Sequence, residues 1–173
     1  MGDSFVSDES ISMILRLQEE AIATGNPPFA AIIAADDKVI SSVHNTSRTS
    51  RNPLEHAEMS AILLAIQNYG SEILSRAHLI SSNEPCPMCI GACVWSGIPN
   101  VSYFVSQEQV EAIRGWGKFM QAQRIAEADD SGIMVNGPIG NEDMLNMHRV
   151  FWTTGSNSEC KHSIHLSEGD TVK

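Results

Sequence analysis

The sequence predicts a single three-layer α/β/α domain, with helices on both faces of a mixed central sheet. Three observations predict it. Apolar, β-prone runs alternate with stretches of helical periodicity along the 173 residues, the pattern of a sheet covered on both sides. Only Asp36-Asp37-Lys38 separates the first two strand-like runs, too short a link for a crossover, so these two pair as an antiparallel hairpin. No repeat or linker divides the chain, whose length suits one domain with a substantial core.

The elements follow in order. Residues 7–24 read as an amphipathic helix: Ile11, Ile14, Leu15, Ala21 and Ile22 recur at helical spacing, Ser7 caps the start and Gly25 ends it. Asn26-Pro27-Pro28 breaks the chain before a buried strand, 29–35, and the hairpin returns along 39–44. Residues 45–53 are polar, rich in Asn, Ser, Thr and Arg, and form a loop. A nearly all-apolar helix runs from Glu55 to Tyr69 and closes at Gly70. A strand at 77–81, a helix at 86–96 stopping at Gly97, and a strand at 100–105 come next. Helical pieces at 108–113 and 120–128 flank Gly115-Trp116-Gly117, followed by a short strand at 132–135 and a last helix at 141–152. The domain is expected over 5–153, with 154–173 a polar, aperiodic tail.

Composition narrows the function. Lys and Arg number 11 against 21 Asp and Glu, a formal charge of −10, which makes nucleic acid a poor partner because phosphate binding relies on clustered cations. No apolar stretch reaches membrane-spanning length. Met1-Gly2-Asp3-Ser4-Phe5 has no basic segment leading into an apolar core, so no secretory signal is expected. Cysteines spaced as Cys86-Pro87-Met88-Cys89 then point to metal or redox chemistry in a reducing, cytoplasmic compartment rather than to disulfides.

Cys86 and Cys89 stand three apart at the start of a predicted helix, on one face, where the helix N-terminus also favours thiolate. His56, at the mouth of the preceding helix, completes a His-Cys-Cys set one ligand short of a zinc tetrahedron. An open fourth position is the mark of a catalytic zinc, one per chain, whose bound water is acidified to a pKa of about 7. Glu58, two residues from His56, is placed to carry that water's proton. A closed structural site needs a fourth ligand, and the nearest, Cys93, lies inside the helix as a small hydrophobe. The cluster Cys160-Lys161-His162-Ser163-Ile164-His165 belongs to the tail, and His44, His78 and His148 receive no role.

His56-Ala57-Glu58, followed after 26 residues by Pro85-Cys86-Pro87-Met88-Cys89, resembles the signature of the cytidine deaminase superfamily. The resemblance implies a cytidine-deaminase-like fold and a zinc-dependent hydrolytic deaminase. In it His56, Cys86 and Cys89 hold the metal, and Glu58 moves protons from water to the ring nitrogen and the departing amine. Asn45, eleven residues before His56, matches the base-contacting Asn of purine-acting members. Pro28-Phe29-Ala30 is similar to the Pro-Phe-Gly of guanine deaminases, and Ser82-Asn83-Glu84-Pro85-Cys86 with Trp95-Ser96 looks like the same group.

The resemblance therefore places Asn45, Phe29, Ala57 and Trp95 at the substrate. It implies guanine as the first substrate among amino-substituted bases and nucleosides, with tRNA adenosine deaminase second and a non-catalytic zinc-stabilised partner subunit as the reading of another class. Two stretches depart from the guanine deaminase pattern: Asn52-Pro53-Leu54-Glu55 before His56, and Ile113-Arg114-Gly115-Trp116-Gly117-Lys118-Phe119, which has no acid at the matching place. The implied assembly is a homodimer.

Overall fold

The computed structural model describes residues 6–117 and 120–154. The predicted tail, from residue 155 on, and its Cys160–His165 cluster lie outside the described residues.

Among the described residues five strands form one sheet: β1 (Ala30–Ala35), β2 (Lys38–His44), β3 (His78–Asn83), β4 (Asn100–Val105) and β5 (Met134–Asn136). Their order is β2-β1-β3-β4-β5. β1 runs antiparallel to both β2 and β3, and β3, β4 and β5 are parallel, so the sheet is mixed. The hairpin turns on two residues, Asp36 and Asp37, at φ of 51° and 60°. That pair of left-handed residues belongs to a type I′ turn, whose twist matches the strands it joins.

Among the described residues six helices cover the sheet: α1 (Asp8–Ala23), α2 (Ala57–Tyr69), α3 (Pro87–Ser96), α4 (Gln107–Arg114), α5 (Ala122–Ala128) and α6 (Glu142–Thr153). β1 shows why both faces need covering, since all six of its residues are buried. Ala31, Ile33 and Ala35 pack with Ala57, Ala61 and Ala65 of α2, Ile90 and Cys93 of α3, and Ala122 of α5. Ala30 and Ile32 point the other way, into Ile14 of α1, Val110 of α4 and Met144 of α6. This is the period-2 alternation of a strand, with a helix layer for each face. Burying a side chain such as Ile32 or Leu79 contributes roughly 1.5–3 kcal/mol.

Local signals held at most ends. Ser7 caps α1 and shares a reciprocal capping box with Ser10, and Ser106 with Gln109 does the same for α4. Two boundaries moved for reasons relevant to function. Phe29 falls just outside β1, its N–H bonded to the Pro27 carbonyl. The helix expected from Glu55 begins at Ala57, with His56 as its cap residue in extended conformation. A 3-10 segment, Ser71–Arg76, was not anticipated, because six residues carry too little periodicity to announce it.

Candidate active site

Two helix starts meet beside the C-terminal ends of β3 and β4. His56 is the cap residue of α2 and Cys86 that of α3, with Pro87 in the first turn where a missing N–H costs nothing. The loop before His56 is pinned by Glu55, whose carboxylate accepts from the Thr46 hydroxyl at 2.9 Å and from Asn52 Nδ2 at 3.1 Å. Hydrogen bonds from Ser50, Thr46 and Asn52 lower the pKa of Glu55, so it stays ionised to hold that loop. The departure at residues 52–55 thus has a structural use. Just past the end of β3, buried Glu84 accepts from the backbone N–H of Gln107 at 3.1 Å and of Ala122 at 2.9 Å, tying α4 and α5 to the site.

His56 Nδ1 stands 3.6 Å from Cys86 Sγ and 3.6 Å from Cys89 Sγ, and the two sulfurs are 3.6 Å apart. Tetrahedral zinc, with bonds of about 2.3 Å to sulfur and about 2.0–2.1 Å to nitrogen, needs separations of about 3.8 Å between sulfurs and about 3.6 Å from sulfur to nitrogen. The triangle therefore fits the ion, and among the described residues these three form the group able to hold one. Cys93 is fully buried in the apolar core, on the helix face that packs against α2, and supplies no fourth ligand. Within the pair, Cys86 holds its proton weakly. A hydrogen bond from Cys89, then one with His56, brings its thiol down to about 4, whereas Cys89 donates that bond, is buried, and is pushed up. His56 is raised by its bond to Cys86.

Glu58 occupies the first turn of α2 and is 5% exposed. Its Oε1 accepts from the Ser81 hydroxyl at 3.2 Å, and its Oε2 lies 3.6 Å from Cys89 Sγ. Burial pushes its pKa up, against the attraction of His56. A buried carboxyl with a raised pKa is a stronger base than an ordinary one and can both accept and return a proton.

His56, Glu58 and Cys86 line one cavity of about 520 Å³, together with Phe29, Asn45 and Asn83. The sequence-derived substrate residues divide here. Asn45 and Phe29 lie in the wall. Ala57 is fully buried and its methyl packs in the core cluster, not in the cavity. Trp95 is a correction: it is 94% exposed and absent from the cavity wall. On α3 the buried positions are Cys89, Ile90 and Cys93, and a residue two beyond Cys93 is turned by about 200° from it, away from the core.

Sequence reading missed the far wall. Arg114, Trp116 and Trp152 line it, with the Arg114 guanidinium 4.3 Å from the Trp116 ring centre and bonded to the Trp116 carbonyl at 2.7 Å. Trp116 meets Trp152 edge-on at 5.9 Å. Arg48 and Arg51 stand at the same cavity. The Gly115-Trp116-Gly117 stretch was visible as an interruption between helices, but nothing local says which cavity its ring faces.

Fold and site together define an α/β/α metal-binding protein with a buried acid beside an open metal corner. The chain belongs to the family of the cytidine and deoxycytidylate deaminase zinc-binding region, whose family model matches residues 6–105. Deaminases of this family are hydrolases acting on C–N bonds. Guanine deaminase of Bacillus subtilis is 36% identical over 89 residues, 51% of this chain and 56% of that protein. This chain thus spans little more than half of that relative. A probable cytosine deaminase of Schizosaccharomyces pombe is 27% identical over 164 residues, 90% of this chain and 99% of the other. Among solved structures, guanine deaminase from Nitrosomonas europaea superposes with a TM-score of 0.72 at 27% identity, covering 86% of each chain. No helix among the described residues is long and apolar enough to cross a membrane.

Proposed function

We propose that this chain is a zinc-dependent hydrolytic deaminase of an amino-substituted nucleobase or nucleoside, with guanine its first substrate and residues 5–153 its catalytic domain. The observation that carries the reading is the placement of Glu58: a buried carboxylate 3.6 Å from one apex of the metal-holding triangle, lining a cavity of about 520 Å³ with ample room for a planar base. His56, Cys86 and Cys89 hold one zinc, which when bound acidifies water. Glu58 accepts the proton as water oxygen bonds to the carbon that bears the amine. It passes that proton to the adjacent ring nitrogen. The second water proton leaves through Glu58 to the amine, the C–N bond breaks, and ammonia departs while the carbon becomes a carbonyl.

The walls suit a flat heterocycle. Phe29, Trp116 and Trp152 offer ring faces or edges. Asn45 Oδ1 is taken by the Ser47 N–H at 3.1 Å and hydroxyl at 2.8 Å, which turns its amide N–H₂ to the ligand. Arg48, Arg51 and Arg114 concentrate positive charge at this one cavity of an acidic chain, favouring electron-rich ring oxygens and nitrogens. The net charge of −10 disfavours tRNA.

The proposal extends to assembly and place. Trp95 and Leu63, 94% and 56% exposed on the neighbouring helices α3 and α2, suit burial against a second copy of the chain. The free cysteines Cys86 and Cys89 suit a reducing, cytoplasmic compartment. The test of function is ammonia release from a panel of amino-purines, pyrimidines and triazines, and from an adenosine-bearing tRNA stem-loop. Guanine should be converted to xanthine. Conversion of adenosine to inosine in the stem-loop alone would replace the substrate, and release from nothing would leave a zinc-stabilised partner subunit.

A further inference from the structure

Behind the cavity wall a chain of hydrogen bonds runs from α6 to the end of β3. The Trp152 indole N–H donates to His148 Nδ1 at 3.2 Å. Indole nitrogen only donates, so Nδ1 is the acceptor, and the proton of the neutral ring sits on Nε2. His148 is fully buried, and burial, with Arg114 nearby, brings its pKa down to about 3, so the ring is neutral. His148 Nε2 lies 3.0 Å from Asn83 Oδ1. A donor there requires an acceptor opposite, which assigns the Asn83 oxygen to this position. Ser82 makes the same assignment from the other side: its hydroxyl accepts from the Ala30 N–H at 3.0 Å and donates to Asn83 Oδ1 at 2.9 Å.

Both donors fix Oδ1, and the amide cannot flip. Asn83 Nδ2 is then left without an acceptor among the described residues, although Asn83 is only 3% exposed. Native proteins rarely leave such a group unpaired without a reason. Asn83 lines the same cavity as Glu58, Cys86 and Asn45.

We propose that Asn83 reads the substrate, donating from Nδ2 to a ring nitrogen lone pair or carbonyl oxygen of the base, and that His148, set by Trp152, is the positioning residue that holds it so. This rests on the base-binding part of the function proposed above. With Asn45 it makes the site a pair of amide donors. The site therefore selects heterocycles that present acceptors at both places over isosteres with C–H or N–H at either.

Guanine, 6-thioguanine, 3-deazaguanine and 7-deazaguanine differ at single acceptors and serve as probes, 3-deazaguanine as a competitive inhibitor because it lacks the ring nitrogen that the reaction protonates. Asn83→Leu should raise KM for guanine at least ~10-fold with little change in kcat, and should erase the discrimination against one of the three analogues. His148→Phe should raise KM similarly and add nothing in the Asn83→Leu background, whereas His148→Gln, whose amide can donate to Oδ1, should restore most of the loss. A KM within twofold of wild type in Asn83→Leu, with the analogue pattern unchanged, overturns the assignment. Additive effects of the two substitutions overturn the positioning role.

Binding is read separately in zinc-loaded protein carrying Glu58→Gln. There guanine should shift the Asn83 side-chain amide resonance, identified by its loss in Asn83→Asp. If that resonance shifts while wild-type protein releases no ammonia, the deaminase reading falls and the role of Asn83 stands. If wild type deaminates guanine and the resonance does not move, the role of Asn83 falls alone. If guanine does not bind, both fall.

Discussion

Glu58 Oε2 lies 3.6 Å from Cys89 Sγ, while Ser81 holds the other carboxylate oxygen at 3.2 Å. The acid is thus fixed between strand β3 and the metal-holding triangle, poised rather than coordinated. Glu58→Gln keeps the shape and the Ser81 bond but cannot carry a proton. Turnover should fall by at least ~100-fold, the low end for general acid-base catalysis, while zinc content stays at wild-type level. Ammonia release and metal analysis on one preparation check both halves. Normal turnover would remove Glu58 from the proton path, and loss of zinc would make its role structural.

The triangle itself predicts the consequence of removing a sulfur. Cys86→Ala and Cys89→Ala, singly and together, should lose bound zinc in metal analysis, and the melting temperature should drop with it, since metal binding is linked to folding. Full zinc occupancy in the double variant would refute the ligand assignment.

Two wall residues should affect binding and not metal. Asn45→Ala removes an amide donor, so KM for the free base should rise by ~3–10-fold, as for a net hydrogen bond of ~1 kcal/mol. Phe29→Ala removes a ring that packs 5.2 Å from His148 and borders the cavity. It should raise KM to a similar degree, with zinc unchanged in both variants. Steady-state kinetics at several base concentrations separates KM from kcat.

Buried His148 couples stability to pH. Its pKa is about 3 in the folded chain against the ordinary 6.5, because burial disfavours the charged ring. Between those values the unfolded chain binds a proton that the folded chain does not. Stability from this residue is therefore present above pH 6.5 and declines as pH falls toward about 3. The slope is at most ~1.4 kcal/mol per pH unit. Urea unfolding of wild type and His148→Gln at pH 7, 6, 5 and 4 should show the gap between them narrowing as pH drops. A constant gap would contradict the neutral buried ring.

The hairpin turn offers a stabilising change. Asp36 and Asp37 both adopt left-handed backbone, and Asp36 also makes a two-oxygen contact with Arg76, 2.9 Å to each. Asp37→Gly relieves the strain at the second position and keeps that ion pair. The gain should be ~0.5–1 kcal/mol, because glycine's larger entropy loss on folding offsets part of the relief. Thermal melting measures it, and a lower melting temperature would argue against the type I′ turn.

What could be read from the chain was what lies within a turn or two of itself. The offsets in His56-Ala57-Glu58 and Cys86-Pro87-Met88-Cys89 are local, so their shared faces and helix-start positions follow from helix geometry alone. The unbroken apolar run of β1 likewise announced a strand buried on both faces. Which surfaces meet was another matter. The contact of His56 with Cys86 bridges thirty positions and was supplied at the sequence level by a recurring signature, not by periodicity. Asn83 and His148 are 65 positions apart, and Trp152 reaches its place only because α6 packs behind the sheet. Trp95 shows the same limit from the other side. The family resemblance set it at the substrate, but the azimuth of a side chain on α3 is set by which neighbours its buried face finds, and that face is defined by Cys89, Ile90 and Cys93. Ligand types and their spacing are a property of local backbone geometry. The walls of the cavity, and which amide donor is left unpaired in it, are decided by packing between elements distant in sequence, which no local pattern encodes.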